Sequence, residues 1–134
     1  MPKGILMTVT NCTDPKRDTE FNRWYSHTHL PDLSRANGFV EARRFRNLDP
    51  GAAGGYMAIY EFDSPDLRES YKDLLRLAQD AFQRGRHIDC IAGTRRGGLW
   101  QEIDPSDHAP LERLDYPRTP PEEIRRHIEA GLSS

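Results

Sequence analysis

Residues 3 to 12 read Lys-Gly-Ile-Leu-Met-Thr-Val-Thr-Asn-Cys, a β-favouring run that stops at the turn-rich Asn11-Cys12-Thr13-Asp14-Pro15. From Asp18 or Thr19, either a fair N-cap, the positions Phe21, Trp24, Tyr25 and Thr28 keep the i, i+3, i+4, i+7 spacing of one helical face. That spacing predicts a helix to about Leu30. Pro31 removes a backbone donor and pushes Leu30 away from αR, so the pattern through Leu33 and Arg35 reads as a kinked continuation ended by Asn37-Gly38. Phe39 to Leu48 is a strand carrying four charges, and after the turn Asp49 to Gly55 a second β-like run, Tyr56 to Phe62, completes a hairpin. Ser64 then reads as an N-cap with Pro65 at the first helical position. Leu67, Tyr71, Leu74, Leu75, Ala78, Ala81 and Phe82 supply a long apolar stripe before Gly85. Thr94 to Ile103 is the last strand, with Gly97-Gly98 marking a bulge.

The order β-α-β-β-α-β is the split βαβ arrangement, in which two helices cover one face of a four-stranded antiparallel sheet. Both registers of the strands carry apolar groups: Ile5, Met7 and Val9 alternate with Leu6, and Met57 and Ile59 with Tyr56, Tyr60 and Phe62. The second sheet face is therefore too apolar for water, and a sheet-to-sheet homodimer is expected.

Residues 104 to 134 differ in character, with five prolines, many charges and few large apolar groups. Thr119-Pro120-Pro121-Glu122 has the pattern of a capping box, opening a short helix through Ile124 and Ile128 to Gly131. The expected organisation is a domain over 1–103 and a C-terminal extension over 104–134 that packs on its own or the partner subunit. Leu111, Leu114, Tyr116, Ile124, Ile128 and Leu132 are its apolar anchors.

At 134 residues the chain supports one core and not two. With 19 Lys+Arg against 21 Asp+Glu the net charge is −2, so no sequence-wide field gathers nucleic acid or anionic lipid. Apolar stretches such as Ile5-Leu6-Met7 fall far short of the roughly 20 residues of a membrane span. No leader pattern opens the sequence, so a soluble, cytoplasmic protein is expected. Two cysteines without a CxxC fit a reducing compartment.

Chemistry concentrates in Phe21 to Asp32, which holds two imidazoles, an indole, a phenol and a carboxylate. At about 100° per residue from Phe21, His29 falls at about 80°, bordering the buried face, and His27 at about 240°, away from it. A helix ligates metal at i, i+3 or i+4 rather than i, i+2, which disfavours a metal site. His27-Thr28-His29-Leu30-Pro31-Asp32 also resembles the opening of metallo-β-lactamase-type hydrolases, but Pro31 stands where that pattern needs Asp. His29 is the acid/base candidate, with Asp32 at i+3 to orient its ring; a helix-boundary histidine bonded to a backbone carbonyl is the structural alternative. The indole of Trp24 and the phenol of Tyr25 serve either the core or a ligand platform. Arg44 and Arg46 share one strand face and Arg43 takes the other, so a buried arginine needs an anionic partner, either a carboxylate such as Glu61 or a substrate acid. No nucleophile motif and no phosphate loop is present, so covalent catalysis and nucleotide cofactors are not expected.

Phe21-x-x-Trp24-Tyr25-x-x-x-His29-x-Pro31-Asp32, followed by Gly38-Phe39-x-x-Ala42-Arg43-Arg44-Phe45, is similar to the pattern of the dimeric α+β barrel superfamily, particularly its EthD-like branch, over about residues 3 to 103. The resemblance implies a ferredoxin-like protomer of α+β class, a homodimer, and a pocket between sheet and helices with His29 as acid/base. The resulting expectation is a cofactor-independent lyase, isomerase, cyclase or dehydratase acting on an aromatic or polyketide-like small molecule. His29, Asp32 and Tyr25 would be its catalytic residues, and Trp24, His27, Arg44, Tyr60 and Trp100 its substrate contacts, with no metal and no cofactor. A cofactor-independent monooxygenase and a non-catalytic ligand-binding dimer are the alternatives.

Overall fold

In the computed structural model of the protein, residues 2–49, 54–110, 112 and 116–133 are described, residues 94–97 by their backbone alone. The chain forms two compact units, residues 1–103 and 104–134. In the first, the strands β1 (Lys3–Cys12), β2 (Phe39–Arg46), β3 (Tyr56–Asp63) and β4 (Ile91–Gln101) make one sheet in the order β2-β3-β1-β4. Every neighbouring pair is antiparallel, which is the split βαβ topology the element order predicts. Alternation along the strands sorts the side chains. Leu6 on β1 and Ala58, Tyr60 and Phe62 on β3 are buried beneath the helices, while Ile5, Met7, Met57 and Ile59 face the other way and stay half-exposed.

The first helical segment departs from the expected kink. It runs as α1 (Asp18–Trp24), a wide π turn over Tyr25–His29, and α2 (Leu30–Leu33), with helical backbone angles across both junctions. The Leu30 N–H donates to the Tyr25 carbonyl, an i→i−5 bond. An α-helical register would drive the Pro31 ring into the His27 carbonyl, and the widened turn just before Pro31 relieves that clash without ending the helix.

The second helix, α3 (Leu67–Gln83), starts later than Ser64 suggests: Asp66 is its cap, accepting from the N–H groups of Arg68 (3.1 Å) and Glu69 (3.2 Å). The Ser64 hydroxyl instead accepts from the buried Ser70 hydroxyl at 2.6 Å. β4 begins earlier than expected, at Ile91. Ile88 and Cys90 are buried, and the Thr13 N–H donates to the Cys90 carbonyl at 2.8 Å, tying this stretch to the end of β1. The bulge falls where the paired glycines indicate: pairing of β1 with β4 shifts between Met7 and Val9, and Gly98 takes φ +69° there. The hairpin turn expected over 49–55 lies largely outside the described residues.

Gly38 enters β2 at φ +77°, and a Cβ there would stand 2.7 Å from Ser64 Cβ and 2.9 Å from the Asp63 carbonyl oxygen. Both the backbone angle and the space demand glycine. Gly38→Ala is expected to cost roughly 2 kcal/mol or more; an unchanged midpoint in a urea melt would contradict this.

The second unit, taken by itself, contains α4 (Pro121–Ser133). The Glu123 and Ile124 N–H groups donate to the Pro120 carbonyl, so the helix starts one residue beyond the position a Thr119 cap would give. Ile124, Ile128 and Leu132, spaced by four, are exposed along it. Leu111 and Leu114 lie outside the described residues.

Candidate active site

A cavity of about 210 Å³ opens between the sheet and the helices of the first unit. Leu6 and Thr8 of β1 and Tyr60 of β3 line it from the sheet, and Leu33 of α2 and Tyr71, Leu74, Leu75 and Ala78 of α3 line it from the helices. His29 lines the same space. The polar side chains there, among the described residues, are the imidazole of His29 and the hydroxyl-bearing Thr8, Tyr60 and Tyr71, against hydrocarbon elsewhere.

His29 reaches the cavity because of the π turn. Five residues of α-helix would place it about 140° around the axis from Trp24. Instead the two rings stack, centroids 4.7 Å apart and 22° between planes, and the Tyr25 ring meets His29 edge-on at 4.9 Å. Trp24 is held in turn by its indole N–H, which donates to the Arg86 carbonyl at 2.9 Å. Packed among these rings, the imidazole loses water on most sides, and desolvation lowers its pKa to about 4, with the Asp32 carboxylate pulling the other way. At neutral pH it is an uncharged base.

Asp32 does not have the position expected of it. Its two carboxylate oxygens accept from the Arg86 guanidinium at 2.8 and 3.1 Å, and no hydrogen bond joins it to His29 among the described residues. It acts on the imidazole through its charge alone. Arg86 was beyond sequence reasoning: it belongs to a short basic cluster with the look of a solvated surface, and its two anchoring contacts span 54 and 62 positions.

Tyr25 is buried, and its hydroxyl sits between the Thr8 hydroxyl (3.2 Å) and the Tyr60 hydroxyl (3.1 Å), so the three form one chain ending in the cavity. Burial, with Tyr25 alongside, holds Tyr60 well above the ordinary phenol pKa, and it stays a protonated donor.

Arg44, expected to contact the substrate, is not among the residues lining this cavity. Its guanidinium donates to the Asn22 side-chain oxygen (2.8 Å), the Ser26 hydroxyl (3.0 Å) and the Asn22 carbonyl (3.3 Å). It also lies over the Tyr25 ring at 4.5 Å and the Tyr56 ring at 5.3 Å. Neutral acceptors and ring faces replace the carboxylate that a buried arginine was expected to need; Arg43, on the other face, is the one that pairs with Glu61, at 2.5 Å. Arg44 thus braces α1 and the π turn against the sheet. His27 is exposed and is not among the residues lining the cavity. Trp100 pairs in register with Ile5 and so lies on the opposite sheet face, where it borders a separate open hollow of about 510 Å³. Neither His27 nor Trp100 joins His29. Among the described residues no group of three or more His, Cys, Asp or Glu is placed to hold a metal ion.

No family model matches the chain. Over 91 residues it is 33% identical to core atranone cluster (CAC) protein 1 of Stachybotrys chlorohalonatus, a match covering 67% of this chain and 35% of that protein. The chain thus spans about a third of that relative's length. Among solved structures it is similar to a provisionally assigned monooxygenase of Shewanella loihica PV-4, with a TM-score of 0.52 at 17% identity. It is similar also to a provisionally assigned antibiotic biosynthesis monooxygenase of Bordetella bronchiseptica, with a TM-score of 0.53 at 16% identity. Each of these matches covers 78% of this chain and 98% of the other. The sheet order β2-β3-β1-β4 with helices on one face is the ferredoxin-like fold, and the chain shares that fold with these structures.

Proposed function

We propose that the chain is a cofactor-independent small-molecule enzyme in which His29 moves a proton on a neutral, largely apolar substrate with an oxygen function at one end. The observation that carries this reading is the uncharged imidazole of His29 lining an apolar cavity together with the Thr8 and Tyr60 hydroxyls. In the reaction, the imidazole takes a proton from a carbon beside a carbonyl, the chemistry shared by lyases, isomerases, cyclases and dehydratases. The Tyr60 hydroxyl, backed by Tyr25 and Thr8, donates to the carbonyl oxygen as charge grows on it. The Asp32 charge, fixed by Arg86, favours the imidazolium that forms, and the proton then returns to the rearranged carbon or to the leaving oxygen. Apolar walls suit an aromatic or polyketide-like skeleton, and they disfavour a substrate acid because Arg44 is engaged by the helix.

The partial relative is named for a core atranone cluster, which supports a place in small-molecule metabolism. The names of the two structural neighbours make oxygen chemistry the competing reading. One experiment separates them: a panel of neutral aryl and bicyclic ketones is incubated with the protein in D₂O, with NMR following deuterium entry beside the carbonyl and an electrode following dissolved oxygen. Wash-in without oxygen uptake is the expected result. Oxygen uptake with turnover would establish the monooxygenase reading, and tight binding with neither signal would establish a non-catalytic dimer.

The same reading includes a homodimer formed through the sheet face that the helices leave uncovered. Ile5, Met7, Met57 and Ile59 are half-exposed there, and Phe45 and Trp100 are 45% and 56% exposed. Light scattering at micromolar concentration should return twice the 15.4 kDa of one chain. Ile59→Glu, which places a charge opposite Arg43 in the middle of that face, should return a folded monomer. A monodisperse wild-type monomer would refute the dimer. Among the described residues no helix is long and apolar enough to cross a membrane.

A further inference from the structure

Cys12 and Cys90 are both free thiols, 78 positions apart in sequence, yet their sulfurs lie 3.6 Å from one another. They belong to different strand ends: Cys12 closes β1, and Cys90 immediately precedes β4, whose first residue, Ile91, pairs with Cys12. The Thr13 N–H to Cys90 carbonyl bond, 2.8 Å long, fixes the backbones side by side. Cys12 is half-buried and its thiol also reaches the Asp14 carbonyl at 3.1 Å, whereas Cys90 is 3% exposed. Cys12 packs against the core beneath the helices, so the proposed dimer face does not cover it.

We propose that Cys12 and Cys90 form a peroxide-sensitive dithiol, whose oxidation to a disulfide staples the end of β1 to the start of β4. The more accessible Cys12 reacts first. Its thiolate attacks one oxygen of hydrogen peroxide, the O–O bond breaks, water leaves after taking up a proton, and Cys12 becomes a sulfenic acid. The Cys90 sulfur then gives up its proton and attacks the Cys12 sulfur; the S–O bond breaks and a second water leaves. Two thiols and one peroxide thus yield one disulfide and two waters, the sulfurs supplying the two electrons. Burial and the bond from Cys12 hold the Cys90 thiol above its ordinary pKa, consistent with its role as the resolving partner rather than the first to react.

The staple falls beside the site. The segment leading to Cys90 carries Arg86, which anchors both Trp24 and Asp32. Locking its end therefore stiffens the support behind His29. The test treats the full chain with equimolar to tenfold hydrogen peroxide, alkylates free thiols, and maps peptides by mass spectrometry. A linked Cys12–Cys90 peptide 2 Da lighter than its reduced pair, reversed by dithiothreitol, is expected, with Tm raised by roughly 10 °C in the oxidised protein. Cys12→Ser and Cys90→Ala should each abolish both changes; two variants guard against the buried site failing to accept a hydroxyl. Bridging between chains, sulfinic acid at Cys12 with Cys90 still alkylated, or an internal bridge without a rise in Tm would each overturn the proposal.

Discussion

Replacing His29 with Gln should lower the rate of deuterium wash-in by about 10²–10⁴, the range expected for loss of a general acid/base. Glutamine keeps most of the volume against Trp24 and Tyr25 and a polar tip toward the cavity, but it cannot accept a proton from carbon. Affinity for the ketone should change little, because the apolar walls supply most of the contact. The pH profile sharpens the test. With a pKa of about 4, the wild-type imidazole is uncharged down to pH 5, so kcat/KM should hold between pH 7 and 5 and fall only as the pH approaches 4. An acid limb centred near 6.5 would mean a solvated imidazole and would sink the assignment. Stability carries the same signature. The folded state disfavours the proton that an unfolded histidine binds below 6.5, so stability is full above that pH and declines as pH falls from 6.5 toward about 4, by at most on the order of 3 kcal/mol. His29→Gln should remove that slope.

Phe21→Ala should destabilise the protein by about 3–5 kcal/mol, the usual penalty for deleting a buried phenyl ring. Phe21 is 0% exposed, and its ring meets those of Tyr56 at 5.7 Å, Tyr25 at 5.8 Å and Trp24 at 6.3 Å. The ring is the common packing partner of the side chains that seat His29 and of those that carry Arg44. Its loss should therefore also loosen the imidazole: in the fraction that remains folded, the His29 pKa measured by NMR should climb from about 4 toward the ordinary histidine value. Urea melts read the first effect. A loss below 1 kcal/mol, or a His29 titration identical to wild type, would show that Phe21 fills space without positioning the site.

The order of elements was legible in the residues because its signals are local. The β-favouring runs Ile5 to Val9 and Tyr56 to Phe62 each lie within one strand, and the apolar stripe from Leu67 to Phe82 lies within one helix and reports which side of it meets the core. The glycine pair before Leu99 marked the bulge for the same reason, since a backbone with positive φ needs a residue without Cβ. The density of chemistry in Phe21 to Asp32 was enough to nominate His29.

What surrounds His29 was decided elsewhere in the chain. A helical wheel assumes a constant turn, and the widened turn before Pro31 breaks that assumption at the five residues that matter, converting Trp24 and His29 from separate faces into a stack. Asp32 had a plausible local partner at i−3, but a guanidinium 54 positions away offers two charge-assisted bonds, which a ring nitrogen cannot match. Arg44 found neutral acceptors on a neighbouring helix, Trp100 was sent to the far sheet face by its register with Ile5, and Cys12 met Cys90 through strand pairing. The kind and order of the elements and the apolar stripe of α3 follow from neighbours within a few positions, which is why they can be read along the chain. Which polar groups meet depends on the folded chain, because hydrogen bonds, ion pairs and ring stacks require contact at a few ångströms between residues whose spacing along the chain carries no trace of it.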